Sequence, residues 1–325
     1  MNKFQYHRRL INLFSSYKKK KKQLSYLPVR LWIEPTNHCN LQCVMCPNKQ
    51  LKKEEKGYMD FKLFKKIIDE ASTYVIEANL LHRGESLLHP DIIQMAKYAR
   101  EKDLKTKLHT NGTLLSNEIS YKLIESGIDY LTFSFDGYDK DTYESIRVKG
   151  NFEETISNIV GFLKIKEELN SKKPFTTLEL INLPNSNKKN DLFKRKDFLN
   201  RFKGLPLDKV KIKEMHNWAG IMSKNQSFKT FSHCTFLWYA LAIFWDGSVL
   251  PCPQDFFGSY IVGNVRDSSL AEIWNNEKMK ALRNKMGRRE ISDLKTCGDC
   301  DRLWRKRFLG VPKEYLWKFL LKKMT

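Results

Sequence analysis

Seven cysteines fall into two groups. "CNLQCVMC" (residues 39–46) sets Cys39, Cys43 and Cys46 at C-x3-C-x2-C spacing. Thiolates at this spacing suit an iron–sulfur cluster, and a four-iron cube with three protein ligands leaves one iron open. A zinc site normally supplies a fourth Cys or His nearby. His38 is adjacent, but its side chain would have to bend back past Cys39. The other four cysteines, Cys234, Cys252, Cys297 and Cys300, lie in the last hundred residues. Four thiolates can close a second site, as an iron–sulfur cluster or as a structural four-cysteine zinc knuckle.

A scaffold must position these ligands, and six β-rich runs precede the second group: 29–36, 74–82, 104–110, 129–136, 175–183 and 209–215. Helical patterns separate them. Phe61, Phe64, Ile67 and Ile68 share one face after a candidate cap at Asp60. Ile92, Met95, Ala96 and Ala99 repeat the spacing, as do Ile119, Leu123 and Ile124 after Ser116, and Ile156, Ile159, Val160 and Leu163. The alternation predicts an α/β fold: a partial (β/α)6 TIM-like barrel with a parallel sheet and right-handed crossovers. Chemistry in such barrels belongs at the C-terminal ends of the strands. The cysteine loop, "RGES" (83–86), "TNG" (110–112) and "SFDG" (134–137) follow or end the first four runs, placing polar residues on one rim. Each alone could be ordinary turn chemistry.

The first motif, with a Gly-Glu turn after the second strand, resembles the radical S-adenosylmethionine (SAM) superfamily over roughly residues 29–305. The resemblance implies that SAM fills the open iron through its amino and carboxylate groups. An electron from this [4Fe–4S] cluster then splits SAM into methionine and a 5′-deoxyadenosyl radical, which removes hydrogen from a substrate carbon. It also implies an electron donor such as flavodoxin or ferredoxin. Gly84 and Glu85 match the family's Gly-Gly-Glu-Pro stretch beside the methionine amino group, where Arg83 and Ser86 depart from it. Thr110 and Asn111 fall where the family contacts the SAM ribose or carboxylate, and Ser134 and Asp136 hold a similar rim position. Arg147 resembles an arginine placed near the SAM carboxylate, or is a solvated residue at a helix end. Met45 replaces an aromatic residue often found beside adenine.

The last hundred residues resemble the SPASM/twitch extension of the same family. "FWDGSVLPC" (244–252) reads as a Gly-x4-Cys hairpin, followed by a Gly-Asn turn, a short helix ending in Trp274, and the pair in "CGDC" (297–300). Asp246-Gly247 is a hairpin turn by propensity alone. The resemblance implies one auxiliary [4Fe–4S] cluster on Cys234, Cys252, Cys297 and Cys300, since the fuller pattern with two clusters has more cysteines. The domain organisation expected is a basic N-terminal extension (1–28), the barrel (29–220), the auxiliary-cluster domain (221–305) and a basic amphipathic tail (306–325).

Composition bounds the rest. The chain has 325 residues and a net charge of +21, of which residues 1–30 and 301–325 carry +15. The body is only mildly basic, so no nucleic-acid partner is expected. The N-terminus lacks the apolar stretch of a secretory signal, no apolar run of 18 residues occurs, and a cytoplasmic enzyme is expected. Leu10, Leu13, Phe14 and Tyr17 share a helical face among basic residues, as do Leu316, Phe319 and Leu320. Such helices can make peripheral contact with a membrane or dock on the barrel. In 211–220, Lys213, Glu214, His216 and Trp218 could face substrate. The basic stretch 184–203 reads as a solvated face or a contact for an anionic substrate. The function expected is hydrogen abstraction from a small carbohydrate- or cyclitol-like substrate, with the auxiliary cluster assisting electron transfer. The alternatives are a radical maturase of a peptide or protein, and a non-catalytic metal-binding scaffold.

Overall fold

The apolar runs form short parallel strands: β1 (Arg30–Ile33), β2 (Glu77–Leu80), β3 (Lys105–Thr110), β4 (Tyr130–Ser134), β5 (Phe175–Asn182) and β6 (Lys209–Glu214). The computed structural model describes residues 3–182, 188–222, 230–305, 307–308 and 311–312. Neighbours pair in register from Arg30↔Glu77 through Asn79↔Lys107, Thr132↔Thr177 and Glu179↔Lys211. Strand side chains alternate between faces. Leu31, Ile33, Leu80, Leu108, Leu131, Phe133, Leu178 and Leu180 take one face and are fully buried or nearly so.

One helix precedes the strands and the others lie between them as expected. They are α1 (Lys3–Lys18), α2 (Phe61–Ala71), α3 (Ile92–Glu101), α4 (Asn117–Glu125), α5 (Lys140–Ile146), α6 (Phe152–Glu168) and α7 (Lys188–Asn200). Local chemistry starts them: Asp60, Ser116, Asp139 and Asn151 each cap an orphan amide with a side-chain oxygen. Leu63, Phe64, Ile67 and Ile68, and Ile92, Met95, Ala96 and Ala99, then join the apolar strand face in one core.

Two features go beyond the sequence reading. The segment holding the second cysteine group is continuous with the barrel sheet. β7 (Ala240–Ile243) pairs parallel to β1, from Arg30↔Ala240 to Ile33↔Ile243. β8 (Ser248–Leu250) and β9 (Gly263–Asn264) extend it antiparallel, giving the order β6-β5-β4-β3-β2-β1-β7-β8-β9 among the described residues. An open barrel leaves the outer edge of β1 with unpaired backbone groups, and an apolar, buried β7 satisfies them. α8 (Leu270–Trp274) and α9 (Glu277–Arg288) follow.

Secondly, α1 docks on the barrel. Leu10 and Tyr17 are buried, and the Tyr17 hydroxyl donates to the His233 carbonyl at 2.9 Å. Arg9 donates to the carbonyls of Leu27 and Tyr74, just before β1 and β2. The apolar face considered for a membrane therefore rests on protein. The other candidate face, around Leu316, Phe319 and Leu320, lies outside the described residues. No described helix is long and apolar enough to cross a membrane.

Candidate active site

Side chains on the other strand face meet in a concave lumen, and most of them are polar. His109 on β3 lies within electrostatic reach of Lys211 and Lys213 on β6. Lys107 reaches Lys213, Glu179, Glu77 and Arg30, which come from four other strands. Such reach across the sheet requires all of them to face one space. At its foot Arg30 pairs with Glu77 at 3.1 Å, and Tyr6 of α1 lies near Arg30, Glu77 and Tyr130. The N-terminal helix thus reaches the bottom of the lumen.

At the opposite end, the loop after β1 carries Cys39, Cys43 and Cys46. Backbone bonds from Gln42 N–H to the Val148 carbonyl and from Val44 N–H to the Ile146 carbonyl, both 2.9 Å, tie it to the end of α5. The three thiols gather in an apolar cluster with Leu41, Met45 and Ile146. Burial pushes Cys39 up to about 12 and Cys46 up to about 11, and raises Cys43 despite the nearby Arg147. Such thiols do not ionise unaided at neutral pH, so only a bound cation would draw off their protons. Backbone amides of Leu41 and Asn48 point at the Cys39 and Cys46 sulfurs, the kind of bond that tunes iron–sulfur clusters. The donor set fits a three-thiolate cube.

The rim residues named from sequence converge here. A Cβ on Gly84 would lie 2.4 Å from the His38 carbonyl oxygen and 2.5 Å from that of Thr36. Only glycine lets the β2 turn approach the cysteine loop this closely. Glu85 is buried, accepting from Asn111 N–H at 2.6 Å and Leu87 N–H at 3.1 Å. Burial raises its pKa against these bonds and one from Thr110. The Asn111 amide donates to Asn40 in the cysteine loop at 2.9 Å. Ser134 ends β4 opposite Glu179. Arg147 is no solvated helix end: 7% exposed, it donates twice to Asp136 Oδ2, at 2.6 and 3.0 Å. Asp136 Oδ1 also accepts from Ile181 N–H at 2.6 Å.

One buried group escaped the sequence reading. Glu34 Oε1 and Oε2 each accept from the Arg83 guanidinium at 2.7 Å, and His82 Nδ1 lies 3.3 Å from Oε2. Burial opposes ionisation, but these partners outweigh it and hold Glu34 at about 2. Arg83 also stacks 3.4 Å from the Phe244 ring centroid and donates to the Phe256 carbonyl. The departure from the family pattern at Arg83 therefore joins the ends of β1 and β2 to the segment around Cys252. The signal was a glutamate inside "LWIEPT", an apolar strand end.

The second cysteine group also assembles. Cys252 lies within electrostatic reach of Cys234, Cys297 and Cys300, and all four thiols are raised by burial. Cys234, Cys252 and Cys297 line one cavity with Leu237, Tyr260 and Leu282. Amides of Phe236 and Leu237 point at Cys234, and that of Arg302 at Cys300. Among the described residues no three His, Cys, Asp or Glu side chains close tightly enough to hold a single ion; a four-iron cube, being larger, asks for no such convergence.

The stretch after β6 runs between the two groups. Asn217 receives from and donates to the 299–301 turn at 2.8–3.2 Å. Burial, with Arg302, Lys213 and Arg305 nearby, pushes His216 down to about 3. Its Nδ1 is buried without a partner among the described residues. Lys213 faces the lumen, bonded to Glu179 at 2.5 Å. Glu214 lies on the opposite, exposed face.

Residues 33–185 match the model of the radical SAM superfamily, and residues 234–301 match that of an iron–sulfur cluster-binding domain, SPASM. A tungsten-containing aldehyde ferredoxin oxidoreductase cofactor-modifying protein from Pyrococcus furiosus is 27% identical, covering 89% of this chain and 99% of its own. An S-adenosyl-L-methionine-dependent 2-deoxy-scyllo-inosamine dehydrogenase from Niallia circulans is 23% identical, covering 83% and 91%. The crystal structure of BtrN in complex with AdoMet and 2-DOIA superposes with a TM-score of 0.59 at 18% identity, covering 86% of this chain and 94% of that one. Streptococcus suis SuiB bound to precursor peptide SuiA superposes with a TM-score of 0.65 at 16% identity, covering 83% and 70%. These two superpositions establish a shared fold.

Proposed function

The chain belongs to the radical SAM superfamily and carries a SPASM-type iron–sulfur domain, and from that premise we propose that it oxidises a small carbohydrate- or cyclitol-like substrate by hydrogen abstraction. As an enzyme of this superfamily it uses SAM, a SAM-binding [4Fe–4S] cluster and auxiliary iron–sulfur chemistry. Bound at the first site, cluster and SAM together supply the hydrogen-abstracting radical.

The residues divide the remaining work. Cys39, Cys43 and Cys46 hold the cube, and Gly84 and Glu85 shape the turn beside it. Thr110, Asn111 and Ser134 form the rim toward SAM. Asp136 and Arg147 brace the loop from behind, each occupied by the other. Cys234, Cys252, Cys297 and Cys300 hold one auxiliary cluster. Four thiolates leave it no open iron, which suits taking an electron from a substrate radical better than binding substrate.

The observation that favours a small substrate is the N-terminal helix lying at the lumen's foot. Tyr6 near Arg30, Glu77 and Tyr130, with Arg9 bonded to the Leu27 carbonyl just before β1, sets this helix across one end of the lumen. The similarity to a cyclitol-type dehydrogenase supports the same reading. The test is anaerobic turnover with deuterated sugars and cyclitols, scored by deuterium in 5′-deoxyadenosine. Transfer from a small polyol supports the proposal; transfer only from a peptide overturns it.

A further inference from the structure

Strand interiors in this barrel carry charge where a sheet core would be apolar. "LKTKLHT" on β3 and "KVKIKE" on β6 place Lys107, His109, Lys211 and Lys213 on the lumen face. Lys213 pairs with Glu179 at 2.5 Å, and Lys211 approaches the same carboxylate at 3.7 Å. Arg30 and Glu77 cancel each other at the foot. Lys209 also reaches Lys211 but is exposed to solvent, so three half-buried lysines face Glu179, leaving two positive charges inside the lumen. The side chains of Lys107 and His109 make no hydrogen bond among the described residues.

Gathering like charges in a half-buried space is unfavourable unless something neutralises them. Burial and neighbours push Lys107 and Lys211 down to about 8, so both remain largely charged at neutral pH. We propose that the lumen binds a phosphate monoester group of the substrate, with Lys107, Lys211 and Lys213 as the anion site and His109 as a neutral hydrogen-bonding partner. A phosphate monoester carries about −1.5 to −2 charge and three acceptor oxygens, matching the two surplus charges. A single carboxylate would leave one unmet. Ammonium groups act as compact point charges suited to a tetrahedral anion approached from two strands.

Position agrees with charge. Met215 and Ile181 pack against the cysteine-loop cluster of Leu41, Cys43, Met45 and Ile146. Lys213 and Glu179 lie two residues earlier on the same strands, about 7 Å further down. An anchored phosphate would thus hold the non-reacting end of a small substrate while the other end reaches the cysteine loop. This rests on the proposed substrate-binding role of the lumen.

The test is calorimetric titration of the anaerobic, cluster-loaded protein with inorganic phosphate. Saturable one-to-one binding is expected, weakened about tenfold or more in Lys107→Met and in Lys211→Met. Lys107→Arg keeps the charge and should retain most of the affinity. Lys62→Met, on the exposed face of α2, should change nothing. Acetate at equal concentration should not compete. Iron content and melting temperature are read for each variant, and if Lys107→Met does not fold, Lys107→Arg and Lys211→Met decide. Absent saturable binding, unchanged affinity in the lumen variants, loss in Lys62→Met, or equal competition by acetate each overturns the site. Formation of 5′-deoxyadenosine is measured on the same samples. A protein that cleaves SAM but ignores phosphate sinks the anion site alone, and one that binds phosphate but never cleaves SAM sinks the functional reading alone.

Discussion

The indole N–H of Trp218 donates to the carbonyl of Met45 at 3.1 Å. Met45 immediately precedes Cys46, while Asn217, immediately before Trp218, is bonded to the turn that carries Cys300. Two adjacent residues thus tie the loops of both cysteine groups. The backbone there is left-handed, with φ of 47° at Trp218 and 54° at Ala219, a conformation non-glycine residues hold only when their surroundings impose it. Trp218→Phe keeps an aromatic ring, though a smaller one, and removes the donor. It should cost about 1 kcal/mol in denaturant unfolding, with iron content unchanged. No loss of stability would mean the bond carries nothing.

Gly84→Ala should act on one cluster only. The added methyl meets backbone oxygens of Thr36 and His38, which cannot rotate away. The cysteine loop must shift, and about four irons should be lost from the first site with the auxiliary site still loaded. Iron analysis with electron paramagnetic resonance reads this. A fully loaded variant would show the turn tolerates a side chain.

Arg83→Met strands the Glu34 carboxylate, buried and held at about 2 by its partners. Removing one member of such a pair costs about 3–5 kcal/mol. The double variant Glu34→Leu/Arg83→Met should recover much of that loss. Denaturant unfolding of the three proteins at neutral pH checks it. A double variant no better than Arg83→Met would remove the stranded charge as the cause.

Leu10→Ala distinguishes a docked α1 from a membrane anchor. A buried leucine truncated to alanine costs about 2–5 kcal/mol, and Leu10 is 3% exposed. The variant should melt lower, with no change in binding to anionic vesicles. Unaltered stability with lost vesicle binding would reverse the assignment.

The six strands were legible because apolar runs and turn residues bound them tightly, and both cysteine groups because their spacing is specific. β7 was not legible. "ALAI" is too short to show a period, and its strand character comes from the open edge of β1 that it covers. Glu34, Lys107 and Glu179 were visible only as charges inside apolar strands. Which face they occupy depends on closure of the sheet, and no local pattern encodes that. Arg147 read either as a contact to the SAM carboxylate or as a solvated helix-end residue, because its partner, Asp136, is eleven positions away across a turn.

The decisive measurement is 5′-deoxyadenosine formation by the anaerobic protein with SAM and a low-potential reductant, compared with the Cys39→Ala/Cys43→Ala/Cys46→Ala variant. Their spacing, burial and shared apolar shell call for SAM cleavage in the parent. In the variant, about four irons should be missing and cleavage abolished. Undiminished 5′-deoxyadenosine from the variant would show that these three cysteines do not hold the catalytic cluster.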